Sequence, residues 1–190
     1  MTGTQRLFVA VDLPSYAVDH LTEITQGLHV ARARARLAAP ERWHITLAFI
    51  GEVPDDRVAA AHQAVHAAAT GPSAASFTMR IAGGGTFGGR NAVLWAGVSG
   101  EVDRLTKLAR AVARELRRAR FDIDRKKPFR PHMTIARPGD RVDRARLRED
   151  IAMLSGYEGP PWQVTEVHLV RSFLGPNPRH VRIASFPLPS

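Results

Sequence analysis

The chain has 190 residues, of which 44% are hydrophobic, 24% are charged and none is cysteine. That balance supports a buried core and excludes a disordered tail, a collagen-like repeat, disulfides, thiolate metal sites and thiol catalysis. Twenty-seven Lys and Arg against eighteen Asp and Glu leave a formal charge of +9. Such a surplus concentrates polyanions around a protein, although an arginine- and alanine-rich composition produces it unaided. No apolar run approaches the roughly eighteen residues of a membrane span. The N-terminus lacks the regions of a signal peptide, so a cytoplasmic protein is expected.

Residues 6–12 alternate as a strand and end at Pro14. Ser15 is the expected N-cap of a helix carrying Val18, Leu21, Ile24 and Leu28. Residues 30–39 interleave Ala and Arg and read either as a frayed helix or as a mobile basic loop. A second strand covers 43–50. Pro54 with Asp55 and Asp56 opens a helix through Val58, Ala61 and Val65, stopped by Gly71 and Pro72. A short strand over 77–81 leads into the glycines at 83–85 and 88–89, read as a flexible connection. Residues 91–98 form a further strand, and 101–119 a basic amphipathic helix with Leu105, Leu108, Val112 and Leu116 on one face. A strand over 131–137, a helix over 143–154, and closing strands over 164–174 and 180–186 complete the chain. The last two flank the turn Gly175-Pro176-Asn177-Pro178.

Strand, helix, strand, helix thus runs over 6–69 and again over 91–154. Within it, His44-Ile45-Thr46-Leu47-Ala48-Phe49-Ile50-Gly51 aligns without gaps on His132-Met133-Thr134-Ile135-Ala136-Arg137-Pro138-Gly139. The repeated His, Thr, Ala and Gly suggest an internal duplication: one domain of two interleaved lobes over 1–190, its sheets completed by 164–186.

Residues two apart on a strand share a face. His44 with Thr46, and His132 with Thr134, therefore point one way, while Ile45, Leu47, Met133 and Ile135 point into the core. Facing one another across a cleft, two imidazoles could act as general base and general acid on a phosphodiester. The two hydroxyls could hold phosphoryl oxygens. The scheme requires no metal, and no acidic cluster flanks either histidine. Which histidine is acid and which is base stays open on these residues alone. Phe87, in the glycine-rich segment, is a possible base-stacking platform. His20, His29, His62, His66 and His168 read as surface or structural, and Trp43 and Trp95 as core anchors.

The twin His-x-Thr-x tetrapeptides resemble those of the two-histidine phosphoesterase superfamily. More narrowly, the chain is similar to the bacterial and archaeal RNA 2′,3′-cyclic phosphodiesterases, also called the 2′-5′ RNA ligase family. The likeness extends over 6–14, 44–51, 93–98, 127–137 and 186–188. It implies a bilobal α+β fold, with antiparallel sheets lining a central cleft and helices outside. It implies hydrolysis of an RNA 2′,3′-cyclic phosphate end, tRNA fragments included, to a 2′-phosphomonoester without metal or other cofactor; a monomer is expected because a cleft within one chain is self-sufficient. Carried over, His44 is the proton donor to the leaving 3′ oxygen and His132 the acceptor from water. Thr46 and Thr134 hold phosphoryl oxygens, and Arg137 and Arg130 contact substrate. Arg137 has the opposite alternation parity to His132, so the strand must bend near Pro138 to bring it to the cleft. Where the family commonly has Tyr, this chain has His180. Alternatives remain: ligation of RNA ends at the same site, a small-molecule cyclic phosphodiesterase, or a non-catalytic RNA-binding module.

Overall fold

Five successive apolar residues, Leu7 to Val11, make β1 (Thr4–Asp12) a strand with both faces buried. In the computed structural model, which describes residues 3–88, 92–126 and 128–190, Leu7, Val9 and Val11 enter the main core. Phe8 and Ala10 point the other way and form a small separate cluster with Val170. β1 lies in a four-stranded antiparallel sheet with β3 (His44–Pro54), β8 (Glu166–Phe173) and β9 (Arg179–Pro187), in the order β3-β1-β8-β9. A five-stranded antiparallel sheet takes the order β2-β6-β5-β4-β7. Its members are β2 (Arg36–Leu37), β4 (Phe77–Phe87), β5 (Val93–Gly100), β6 (Met133–Arg137) and β7 (Trp162–Val164). The α+β class with antiparallel sheets is as expected.

Helices cross between the sheets. α1 (Ser15–Gln26) follows β1 yet packs beside β7, where Tyr16 Oη donates to the Pro161 carbonyl at 2.9 Å and His20 meets the Tyr157 hydroxyl at 3.0 Å. α4 (Val102–Arg118) follows β5 yet packs on α3 (Val58–Ala69) and β3. Leu105, Leu108, Val112 and Leu116 are all fully buried, each contributing about 1.5–3 kcal/mol of apolar transfer. α5 (Arg144–Ser155) is capped by Asp143, whose carboxylate accepts from the amides of Ala145 and Arg146 at 2.9 Å.

Four local expectations are revised. Ser15 is the first residue of α1 rather than its cap; Pro14 occupies the cap and its carbonyl receives the amides of Ala17 and Val18. Residues 30–39 are neither frayed helix nor mobile loop. They hold the short helix α2 (His29–Arg32) and β2, fixed by the fully buried Asp150, whose carboxylate accepts from the amides of His29 at 2.6 Å and Val30 at 3.0 Å. The glycines at 83–85 continue β4 instead of interrupting it. A Cβ on Gly84 would sit 2.5 Å from Leu154, and one on Gly85 2.5 Å from the Trp95 ring, so glycine here serves close packing. The closing strand over 164–174 is two strands, for the chain leaves the five-stranded sheet after β7 and enters the four-stranded one at β8. The expected strand start at Asn91, Gly89, and Lys127 lie outside the described residues.

Candidate active site

His44 opens β3 and His132 immediately precedes β6. Both are oriented by the same local bond. His44 Nδ1 donates to the Arg42 carbonyl at 2.7 Å, and His132 Nδ1 to the Arg130 carbonyl at 2.7 Å. A carbonyl only accepts, so each neutral ring carries its proton on Nδ1 and has Nε2 as its acceptor nitrogen. Nε2 of His44 receives the Thr46 hydroxyl at 3.1 Å.

Aromatic rings hold both imidazoles. Phe8 lies against His44 with centroids 4.7 Å apart, and Phe87 meets His132 edge-on at 4.8 Å. No sequence signal marks Phe8, because a strand buried on both faces shows no alternation. Phe87 in turn stacks on Trp95 at 5.1 Å. Through these contacts Phe87 braces His132, and it is not among the residues that line the cavity. Arg130 likewise contributes its carbonyl; its exposed side chain does not line the cavity.

His44, Thr46, His132, Thr134 and Arg137 surround one cavity of about 670 Å³, together with Arg36, Arg42 and His180. Arg137 reaches it by a bulge, not by a bend at Pro138. In the β5–β6 ladder, Trp95 pairs with Thr134 and Leu94 with Ala136, leaving Ile135 over. Ile135 and Ala136 are both buried, and the residue after them is turned back to the cleft. β3 carries the same irregularity at the same offset from its histidine. Ala10 pairs with Thr46 and Val9 with Ala48, leaving Leu47 over, and the next residue, Phe49, is 48% exposed. As expected, Ile45, Leu47, Met133 and Ile135 are all buried.

Burial chiefly pushes the His44 pKa down, with smaller contributions from the His132 and Arg42 charges; the Arg42 carbonyl bond and Asp12 oppose the shift. His180 stands T-shaped to His44 at 5.1 Å, and burial with the His44 and Arg42 charges pushes it down to about 4. It is therefore neutral near pH 7 and adds an apolar edge and a polar nitrogen, but no charge. A second hollow of about 800 Å³ shares Arg42, His44 and His180 but is also lined by Asp12, Asp19, Glu41 and Arg182. Its three carboxylates suit a phosphate less well than the arginine-rimmed first cavity.

The remaining histidines make structural contacts. His29 pairs with Glu149 at 2.7 Å, and His62 and His66 pack on Phe186. His168, 2% exposed, bonds Ser185 and lies near Asp12 and Glu166; burial lowers its pKa. Trp43 is buried in the core and Trp95 is half-buried under Phe87. Among the described residues, no group of three His, Asp or Glu is arranged to hold a metal, and no helix is long and apolar enough to cross a membrane.

Two antiparallel sheets with paired His-x-Thr strands are the arrangement of the two-histidine phosphoesterases. Residues 13–174 match the profile of the 2′-5′ RNA ligase superfamily, and the chain belongs to that family. It is 33% identical over 183 residues to a protein of Geobacillus stearothermophilus named RNA 2′,3′-cyclic phosphodiesterase, covering 95% of this chain and 56% of that one. A protein of the same name from Methanothermobacter thermautotrophicus is 31% identical over 173 residues, covering 90% of this chain and 91% of that one. The chain thus spans just over half of the first relative and nearly all of the second. Among solved structures, TT0787 of Thermus thermophilus superposes with a TM-score of 0.77 at 28% identity, covering 96% of this chain and 97% of that one. The apo form of Escherichia coli LigT gives 0.77 at 22% identity over 100% of both chains, a likeness of fold.

Proposed function

We propose that this chain is an RNA 2′,3′-cyclic phosphodiesterase that opens cyclic phosphate ends to 2′-phosphomonoesters, with His44 and His132 as its acid–base pair. One observation carries the reading: both imidazoles have Nδ1 tied to the carbonyl two residues back, which leaves Nε2 as the acceptor nitrogen of each neutral ring, and both line a single arginine-rimmed cavity with Thr46 and Thr134. Water attacks phosphorus as His132 Nε2 takes its proton. The P–O3′ bond breaks and the proton on His44 Nε2 passes to O3′, leaving a 2′-phosphate and a 3′ hydroxyl. Thr46 and Thr134 donate to the phosphoryl oxygens as charge builds on them. His44 is neutral in the free protein, since burial lowers its pKa. The phosphodiester anion favours the imidazolium, so His44 takes up its proton as substrate arrives.

The reading also takes the chain as one domain of two interleaved repeats, acting as a cytoplasmic monomer on RNA ends such as tRNA fragments. An oligoribonucleotide with a 2′,3′-cyclic end, incubated with EDTA present, tests the chemistry through the position of the product phosphate. A 2′-phosphate is expected; a 3′-phosphate, or loss of turnover with the chelator, overturns the scheme.

A further inference from the structure

The register of the five-stranded sheet sets Arg36 directly opposite Arg137 in the β2–β6 ladder. Like charges in that position destabilise a sheet, so this edge carries a cost unless an anion lies between them. Both arginines line the histidine cavity, and both also line an adjoining groove of about 740 Å³ with Arg34, Arg141 and Asp140. The groove therefore opens from the reacting position outward along the β2 edge, with four guanidiniums facing one carboxylate. Among the described residues, none of these four arginines is ion-paired. The basic helix α4 differs, for there Arg104 is tied to Glu101 and both Arg114 and Arg118 to Glu115. The groove wall is also fixed in place. Arg141 donates to the Arg34 carbonyl at 2.6 Å, and Asp150 anchors α2 just ahead of it.

We propose that single-stranded RNA leading up to the reacting end lies in this groove, its first internucleotide phosphate between Arg36 and Arg137 and its next ones on Arg34 and Arg141. The inference rests on the cavity being the site of a cyclic phosphate end, and it sets the substrate class. A nucleoside 2′,3′-cyclic phosphate has no further phosphate to place on the arginines, whereas an oligomer has one per nucleotide. The oligomer is therefore the better substrate.

The test compares kcat/KM for a ribo-octamer with a 2′,3′-cyclic end and for adenosine 2′,3′-cyclic phosphate, in the natural protein and in Arg34→Gln/Arg141→Gln. The octamer-to-mononucleotide ratio should fall about tenfold in the variant. The salt slope of octamer binding, read by fluorescence anisotropy, should shrink by about 1.4, at about 0.7 for each phosphate no longer neutralised. Arg34→Gln alone keeps the bond from Arg141 to the residue-34 carbonyl and should shift the ratio the same way by about threefold. An unchanged ratio overturns the proposal, whether both rates hold or fall together. If the natural protein cleaves neither substrate, the proposed function fails, and the groove is still judged by the salt slope: a smaller slope in the variant supports it and an equal slope overturns it.

Discussion

The imidazole of His180 stands edge-on to that of His44, with centroids 5.1 Å apart and ring planes at 74°. Burial lowers the pKa of both, His180 to about 4. Histidines in the unfolded chain take protons near pH about 6.5, while these two in the fold resist them. Stability is therefore fully present above about pH 6.5 and declines as pH falls toward 4. The urea midpoint should drop between about pH 7 and about pH 4.5, and His180→Phe should shrink that drop. An equal drop in the variant would show that His180 contributes nothing to acid sensitivity.

His44→Ala and His132→Ala should each lower kcat on a cyclic-ended oligoribonucleotide by about 10³-fold, within the range of general acid–base contributions. Each ring's bond runs to a nearby backbone carbonyl, so the thermal midpoint should move little. Product analysis beside a thermal melt checks both points; retained turnover in either variant removes the acid–base pair.

Thr46→Val keeps the side-chain shape and deletes the hydroxyl that sits 3.1 Å from His44 Nε2. Thr134→Val removes the other cavity-lining hydroxyl. If the hydroxyls stabilise phosphoryl charge, kcat should fall about 10²-fold, with a smaller change in KM. A loss confined to KM would assign them to ground-state binding.

Gly85→Ala would bring a methyl group to 2.5 Å from the Trp95 ring. That indole stacks on Phe87, which braces His132, so the displacement should reach the imidazole. Overpacking should cost about 1–3 kcal/mol, and misplacement of His132 about tenfold in kcat. Near-ultraviolet circular dichroism, sensitive to tryptophan surroundings, should change alongside the activity.

Asp150→Ala leaves the His29 and Val30 amides without their acceptor. Urea denaturation should show a loss of about 2–4 kcal/mol, for one buried and one partly buried donor left unmet. Asp150→Asn, which keeps one oxygen acceptor, should lose less.

The meeting of the two His-x-Thr pairs at one cavity is legible in the sequence because its signal is local. The Nδ1-to-carbonyl bonds span two residues, and His-x-Thr on a strand needs no knowledge of the neighbouring strand. What depends on partners is hidden. Arg137 turns to the cleft through a bulge defined by its pairing with β5. The passage from β7 to β8 depends on which sheet edges are free. The glycines at 84 and 85 signal flexibility in a sequence, and only Leu154 and Trp95 reveal them as close packing. Residues 30–39 resist placement by local pattern because their anchor, Asp150, lies some 120 residues away.

Beyond the matched bulges the two halves part company. One residue past Ala136 stands Arg137, opposite a second guanidinium; one past Ala48 stands Phe49, with the Arg6 side chain lying over its ring at 4.6 Å. The repeated segments thus differ in charge at one position, which puts a guanidinium opposite Arg36 on the wall of the histidine cavity in one half and an aromatic ring in the other.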